Sequence, residues 1–206
     1  LMIREKRIDD PMRTYIIAEL SGNHGKSIKK AEALVAAAAE AGADAIKVQT
    51  FEAEDIAADI PFPYGYDAAH DAWARALKVR CLRDLFRHGG FPRKWHKRLA
   101  RFSQRMGVEF LSTPFSVDAA RFLLCEIGVR AIKVASGDLT FRPFLDYLAV
   151  GGPVPLLIST GGATEDECYA AATTGPMYKV LAEGRLALLH CVSIYPCPEP
   201  MANLRA

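Results

Sequence analysis

Half of the 206 residues are hydrophobic and the formal net charge is only +2, a composition typical of an ordinary globular chain with enough apolar residues for one large core or two small ones. The chain has no run of eighteen apolar residues and no secretory signal pattern, so we expect no membrane span and a cytoplasmic location. The balanced charge gives no reason to expect nucleic acid as a partner. Five cysteines without a CxxC pair argue against a disulfide scaffold or a structural zinc site.

Short apolar runs alternate with helical patterns along the chain. The runs are "YIIAEL" (15–20), "AIKVQTF" (45–51), "VEFLSTPF" (108–115), "AIKVASGD" (131–138), "VPLLIST" (154–160) and "LALLHC" (186–191). Most lack polar alternation, as strands buried on both faces do. Between them, Ser27 can cap a helix that ends near Gly42, and Thr164 with Glu167 forms a capping box. The alternation predicts a parallel α/β architecture.

Residues 52–93 are far longer than a normal strand-to-helix connection and are interrupted by proline and glycine, which indicates an insertion or a long loop with a short helix. The segment that follows, "RKWHKRLARFSQR", allows two interpretations. It is either a basic patch for nucleic acid or phosphate, or an amphipathic helix with a solvated cationic face, and the helical spacing of Trp95, Leu99, Phe102 and Met106 favours the second.

Polar residues lie at the end of each predicted strand. They are Glu19, Lys47, Gln49, Ser112, Thr113, Lys133, Ser136, Asp138, Ser159, Thr160 and His190. In parallel barrels and doubly wound sheets, these strand ends form the ligand crevice. A buried ammonium costs several kcal/mol unless it is paired, so two lysines in the similar settings "AIKVQT" and "AIKVAS" indicate a shared anion. The pattern favours a site for an anionic small molecule.

The motifs "IIAELSGNHG", "AGADAIKVQTF", "FLSTPFS", "KVASGDL", "PLLISTGG" and "LLHCVSIYPCPEPMANLRA" together resemble the sialic acid synthase family, which makes N-acetylneuraminate, pseudaminate and legionaminate. The resemblance implies a (β/α)8 TIM barrel followed by an antifreeze-like domain, in domain-swapped homodimers. It also implies condensation of phosphoenolpyruvate with an N-acetylmannosamine-type sugar, with release of phosphate and help from a divalent metal, Mn²⁺ or Mg²⁺.

The same resemblance assigns roles to residues of this chain. It places six residues at the phosphoenolpyruvate site: Lys47, Gln49, Thr113, Lys133, Ser136 and Ser159. Ser193 and Tyr195 would line the same pocket, Glu19 would hold the amino-sugar, and Asp138 would lie beside metal and substrate. We take Glu19, Lys133 and Asp138 as the candidate catalytic residues.

The chain ends shortly after the sixth predicted strand, whereas a complete barrel needs about 250 residues. We therefore expect residues 1–206 to form a partial barrel, cut after about six strands. The family's two metal-binding histidines and the antifreeze-like domain would lie beyond Ala206, so no complete metal site is expected within this chain. A homodimer is expected from the resemblance alone, and the fragment by itself is expected to show little or no synthase activity.

Several polar residues also have simpler interpretations. His24 can shape the first loop rather than act as a catalyst, and His190 can be a packing residue rather than a metal ligand. Ser112 can face away from the pocket, and Tyr195 with Pro196 can simply shape a loop. Cys191 and Cys197 are interpreted as small apolar fillers.

Two other functions stay open from the sequence. One is a Schiff-base aldolase on the same barrel, with Lys47 or Lys133 as nucleophile. The other is a barrel that binds sugar phosphates without turnover. Which amino-sugar a synthase of this kind would accept is not decided by these motifs.

Overall fold

The computed structural model describes residues 1–3, 6–61, 75–194 and 196–204. Within these ranges the strands are β1 (Met2–Ile3), β2 (Lys6–Arg7), β3 (Ile17–Glu19), β4 (Ala45–Thr50), β5 (Glu109–Pro114), β6 (Ile132–Val134), β7 (Leu156–Ser159) and β8 (Leu186–Leu189). The helices are α1 (Ile28–Glu40), α2 (Ala53–Ile56), α3 (Leu82–Gly89), α4 (Arg93–Arg105), α5 (Val117–Arg121), α6 (Arg142–Gly151), α7 (Glu165–Thr173) and α8 (Met177–Ala182). Helix α5 continues into a π-helical turn, Phe122–Ile127, and short 3₁₀ turns span Ser136–Asp138 and Glu199–Met201.

Strands β3 to β8 form one parallel sheet in which spatial order follows chain order. Helices connect successive strands, as parallel pairing requires, and the sheet is a curled part of a (β/α)8 barrel. This confirms the predicted α/β class and the barrel cut after six strands. A separate antiparallel hairpin, β1–β2, precedes the sheet. None of the described helices has the length and apolar character needed to cross a bilayer.

The helix ends follow the predicted caps. The hydroxyl of Ser27 accepts a hydrogen bond from the Lys30 backbone N–H at 3.3 Å, and α1 ends just before Gly42, which has a φ of 85°. Thr164 and Glu167 form the reciprocal capping box at the start of α7. These local signals lie close together in sequence, so they do not depend on the rest of the fold.

Two parts of the prediction were less accurate. The strand predicted over 131–138 is only Ile132–Val134, because the chain turns into a 3₁₀ turn at Ser136. In the long interval 52–93, the structure describes the helices α2 and α3 and a further helical stretch at residues 75–77, rather than one short helix. Residues 62–74 of this interval lie outside the described residues.

The outer face of the sheet packs against the helices in the larger apolar core. Helix α4 lies on this face, with His96, Leu99 and Ser103 buried. Its cationic side is partly neutralised, since Arg98 forms two 2.8 Å hydrogen bonds with Glu32 of α1. These contacts support the interpretation of α4 as an amphipathic helix. Met106, expected on the apolar face, instead follows the last residue of the helix and is 39% exposed.

A buried polar network attaches α4 to the ends of two strands. The His96 Nδ1 atom lies 3.2–3.3 Å from the carbonyl oxygens of Arg93 and Pro92, so it must carry the proton and donate. His96 Nε2 then accepts from the Thr50 hydroxyl at 2.7 Å, and that hydroxyl lies 2.6 Å from Ser112 Oγ. Ser112 therefore faces the helices, as the sequence suggested.

The inner face of the sheet carries a second, smaller apolar cluster. Its buried members are Ile3, Ala45, Leu111, Ala131 and Leu157. Ile3 comes from the N-terminal hairpin, which therefore covers one end of the barrel interior. The buried carboxylate of Asp44 holds the segment around this hairpin, because it pairs with Lys6 at 2.7 Å and Arg13 at 2.5 Å and accepts from the Ile16 backbone N–H.

Candidate functional site

Along strands β3 to β7, an inward-facing polar residue comes two positions after an inward-facing apolar residue. We call this spacing the two-residue step. Side chains alternate between the two faces of a strand, so the second residue after an inward-facing one also faces inward. Two positions after the apolar residues Ile17, Ala45, Leu111, Ala131 and Leu157 come Glu19, Lys47, Thr113, Lys133 and Ser159. The polar set therefore lies toward the carboxyl ends of the strands, where parallel barrels bind ligands.

Lys47 connects the first three strands of the sheet. Its Nζ atom donates to Thr113 Oγ1 at 3.3 Å and forms an ion pair with Glu19. Gln49, one inward step beyond Lys47, lies opposite Thr113 in the β4–β5 ladder. The structure thus brings together four of the predicted residues, contributed by β3, β4 and β5.

The loop after Glu19 is shaped by polar contacts at both ends. Glu19 Oε1 accepts from both the backbone N–H and the hydroxyl of Ser21 at 2.9 Å, and Ser21 has a φ of 40°. At the other end, His24 Nδ1 accepts from the backbone N–H of Lys26, whose φ is 56°. These bonds hold two non-glycine residues in the left-handed region, which side chains normally disfavour.

The ring of His24 is fully buried against Phe91 and Trp95. Burial, together with the positive charges of Lys26 and Lys30, lowers the pKa of this imidazole. The neutral ring is the form that accepts from Lys26 through Nδ1. The geometry fits His24 as a residue that shapes the loop rather than one that touches a substrate.

Lys133 is the most deeply buried cation of the site. Its ammonium donates to the Val134 carbonyl oxygen at 2.6 Å and to Ser159 Oγ at 2.5 Å. Burial, followed by repulsion from Lys47, lowers the pKa of Lys133 to about 8. The two lysines predicted to share an anion are therefore close enough to repel each other electrostatically.

Asp138 lies in the 3₁₀ turn after β6, with Ser136, rather than on the strand as predicted. Burial raises the pKa of its carboxyl group, although the nearby Lys133 opposes this shift. The Oδ2 atom is buried and makes no hydrogen bond with the described residues. A buried carboxylate oxygen without a partner is available to a substrate proton or a metal ion.

Two more predicted residues of the site, Ser136 and Ser193, lie around Gly161. Its backbone N–H donates to Ser136 Oγ at 3.1 Å. A Cβ atom at this position would lie 2.6 Å from Ser193 Oγ and 3.0 Å from Ser136 Oγ. Both predicted serines therefore lie against Gly161, where an added methyl group would displace their hydroxyl groups. Tyr195, predicted in the same pocket, lies outside the described residues.

Sequence reasoning missed Gly161 and misjudged Cys191. Cys191 is not merely an apolar filler, because its thiol donates to Ser159 Oγ at 3.1 Å. His190, in contrast, is exposed, and its Nε2 donates to the Ala202 carbonyl oxygen at 2.8 Å. The double glycine of "ISTGG" was the available signal for Gly161, since adjacent glycines can mark a close approach as well as a turn.

Metal ligands were expected mainly outside this chain. Among the described residues, no group of three or more histidine, cysteine, aspartate and glutamate side chains is arranged to hold an ion. The family resemblance implies that Asp138 lies beside the metal, and its Oδ2 atom has the chemistry for one oxygen ligand.

The chain is similar to known proteins in both sequence and structure. The NeuB family profile matches residues 34–206. The chain is 34% identical over 196 residues to an N,N'-diacetyllegionaminic acid synthase of Legionella pneumophila, covering 95% of this chain and 53% of the relative. It is 30% identical over 193 residues to a pseudaminic acid synthase of Campylobacter jejuni, covering 94% of this chain and 53% of that protein.

The fold agrees with solved structures of the same group. The N-acetylneuraminic acid synthetase of Leptospira borgpetersenii superposes with a TM-score of 0.73 at 30% identity, over 92% of this chain and 58% of that one. The present chain thus spans about half the length of the relatives it matches. The relatives are sialic-type acid synthases, and the profile covers most of this sequence. The chain belongs to the sialic acid synthase (NeuB) family.

Proposed function

We propose that these residues form the phosphoenolpyruvate-binding part of a synthase that condenses phosphoenolpyruvate with an N-acetylmannosamine-type sugar. The products would be a nonulosonic acid and inorganic phosphate. The observation that carries the proposal is the pair of inward-facing ammonium groups, Lys47 and Lys133, each bonded to a hydroxyl group at the strand ends. Phosphoenolpyruvate carries a carboxylate and a phosphate, and both need cations and hydrogen-bond donors in a partly buried site.

Each group has a role in this proposal. Lys47 and Lys133 bind the anionic groups, and Gln49, Thr113, Ser136, Ser159, Ser193 and Tyr195 complete the pocket. The C3 atom of phosphoenolpyruvate forms a bond to the aldehyde carbon of the sugar. A water oxygen adds at C2, and phosphate leaves with its bridging oxygen. Glu19 holds the amino-sugar, and Asp138, whose pKa is raised by burial, exchanges protons with the tetrahedral intermediate.

A divalent ion, Mn²⁺ or Mg²⁺, is part of the proposal, because such an ion polarises an aldehyde as a Lewis acid. Asp138 would lie beside this ion. The resemblance places the histidine ligands after Ala206, so the metal-dependent activity is proposed for the longer protein. We also propose that the longer protein forms a homodimer.

The direct test measures phosphate release from phosphoenolpyruvate with Mn²⁺ present and with N-acetylmannosamine and the acceptor sugars of legionaminate and pseudaminate synthases tested in turn. It should be run on this chain and on a version extended to the length of its relatives. We expect release by the extended protein that chelation with EDTA abolishes, and little release by residues 1–206. No acceptor-dependent release by the extended protein would contradict the proposal, as would release that is unaffected by EDTA.

A second candidate is a Schiff-base aldolase, favoured by one observation. A nucleophilic lysine needs a lowered pKa, and burial lowers the pKa of Lys133 to about 8. The two reactions differ in their intermediates, since the aldolase forms an imine with pyruvate and the synthase does not. Borohydride reduction in the presence of pyruvate, followed by mass measurement, separates them. A stable adduct on Lys133 would favour the aldolase.

A further inference from the structure

The hydroxyl group of Ser159 has two donors directed at its oxygen atom. Lys133 Nζ donates to Ser159 Oγ at 2.5 Å, and Cys191 Sγ donates to the same atom at 3.1 Å. A serine hydroxyl offers two acceptor lone pairs and one hydrogen. With both lone pairs engaged, the hydrogen of Ser159 is left to donate to a third group.

The surroundings of Ser159 decide what that third group is. Ser159 ends β7 on the inner face, and its side chain is almost fully buried beside Lys133. Ser136 and Ser193 lie nearby, around Gly161, whose Cβ would also fall 3.3 Å from the Cys191 Cβ. A hydroxyl hydrogen directed into a cluster of other hydroxyls and an ammonium suits an anionic oxygen.

We propose that Cys191 is a positioning residue that fixes the direction of the Ser159 hydroxyl hydrogen toward the substrate anion. This rests on the proposed function, since the anion is taken to be phosphoenolpyruvate. Without the thiol, the Ser159 hydroxyl could rotate and no longer keep its hydrogen on the substrate. Cys191 itself does not contact the substrate in this arrangement.

The first arm of the test needs no ligand. The alkylation rate of Cys191 by iodoacetamide is measured by peptide mass spectrometry in the wild-type chain, in Ser159→Ala and in the matched control Ser136→Ala. Removal of its acceptor should free the thiol and raise the Cys191 rate several-fold in Ser159→Ala only. Cys125, which is exposed and lies on the π-helical turn, serves as the internal reference. Equal Cys191 rates in all three proteins would overturn the proposal.

The second arm measures binding of phosphoenolpyruvate and of inorganic phosphate by calorimetry. Cys191→Ala should weaken binding about five-fold, within the range expected for one neutral hydrogen bond. Cys191→Ser retains a donor and should restore most of the affinity, and Cys125→Ala should match the wild type. In the extended protein, the loss should appear in KM for phosphoenolpyruvate more than in kcat.

The outcomes separate the two proposals. Wild-type affinity in Cys191→Ala, or failure of Cys191→Ser to rescue, would overturn the positioning role. If the wild-type chain binds phosphate but not phosphoenolpyruvate, the proposed function fails. Phosphate binding that still depends on Cys191 would then support the positioning role for a simpler anion. If neither anion binds, both proposals are refuted.

Discussion

Lys47 forms an ion pair with Glu19, the residue that ends the neighbouring strand β3. The family resemblance assigned these two side chains to different substrates, the lysine to phosphoenolpyruvate and the carboxylate to the amino-sugar. Without substrate, each partly neutralises the other. In the proposed site, an anion binding to Lys47 would compete with Glu19 and would release this carboxylate toward the acceptor sugar.

The substitution Glu19→Gln tests this relationship, because it keeps the size of the side chain and removes its charge. We expect phosphoenolpyruvate binding to be unchanged or up to several-fold tighter, and amino-sugar use by the extended protein to fall at least ten-fold. Calorimetry and acceptor-dependent kinetics measure the two effects. Glu32→Gln, which removes the charge facing Arg98 on α1, is the control. Weaker phosphoenolpyruvate binding with intact sugar use would show that Glu19 serves the other substrate.

Anion binding should depend on the protonation of Lys133. Its pKa of about 8 means that the positive charge is present at neutral pH and is lost as the pH rises through this value. Phosphoenolpyruvate affinity should therefore fall above about pH 8, with a midpoint shifted upward by the bound anion. The Lys133→Arg variant stays charged and should lose this dependence. A flat wild-type profile between pH 7 and pH 9.5 would contradict the prediction.

His96 should make the fold sensitive to acid. Burial lowers its pKa from 6.5 to about 4, so the unfolded chain binds a proton between these values while the folded chain does not. Its stabilising contribution is complete above pH 6.5 and is lost as the pH falls toward 4. Between pH 7 and pH 5, this linkage is worth about 2 kcal/mol.

Urea denaturation at the two pH values measures the effect. His96→Gln and His96→Leu are less stable at pH 7 and should show a smaller loss between pH 7 and pH 5 than the wild type. The exposed His88 provides the control, since His88→Ala should keep the full pH dependence. An unchanged pH dependence in both His96 variants would show that the acid sensitivity arises elsewhere.

Gly161→Ala should impair the site more than the fold. The new methyl group would meet Ser193 Oγ and Ser136 Oγ, and the serines must move because the contact distances of 2.6 and 3.0 Å are too short. We expect phosphoenolpyruvate affinity to fall at least five-fold while the unfolding midpoint changes little. Gly89→Ala, at a position with no atoms within 4 Å of the added carbon, is the control. A loss of stability without a loss of affinity would place Gly161 in a packing role.

Much of the barrel could be predicted because its signals are local or periodic. The apolar runs predicted the six strands of the sheet, and the lysines were conspicuous because a charge inside an apolar strand needs a partner. Contacts between segments that are far apart in sequence could not be predicted. The His96 network joins residues 46 positions apart along the chain, and its histidine has no local pattern that distinguishes it from a surface residue.

The role of Cys191 was hidden for a related reason. A cysteine after a strand is typical of a small apolar filler, and only the approach of β7 to β8 places its thiol 3.1 Å from Ser159, which is 32 positions away. Ser136 and Asp138 were placed on a strand because "AIKVASGD" reads as one run. The strand instead ends at Val134, and the 3₁₀ turn that follows redirects both side chains.

The two-residue step between the inner apolar cluster and the polar set has a consequence for how such sequences can vary in length. One residue inserted between Ala45 and Lys47 would turn the ammonium toward the helix layer and an apolar side chain toward the ligand. Deletion of one residue inside another strand of the sheet would exchange the inner and outer faces of that strand in the same way. Insertions and deletions are therefore tolerable in connections such as residues 52–93. Within the strands, the number of residues is fixed, and the sequence can change only by substitution.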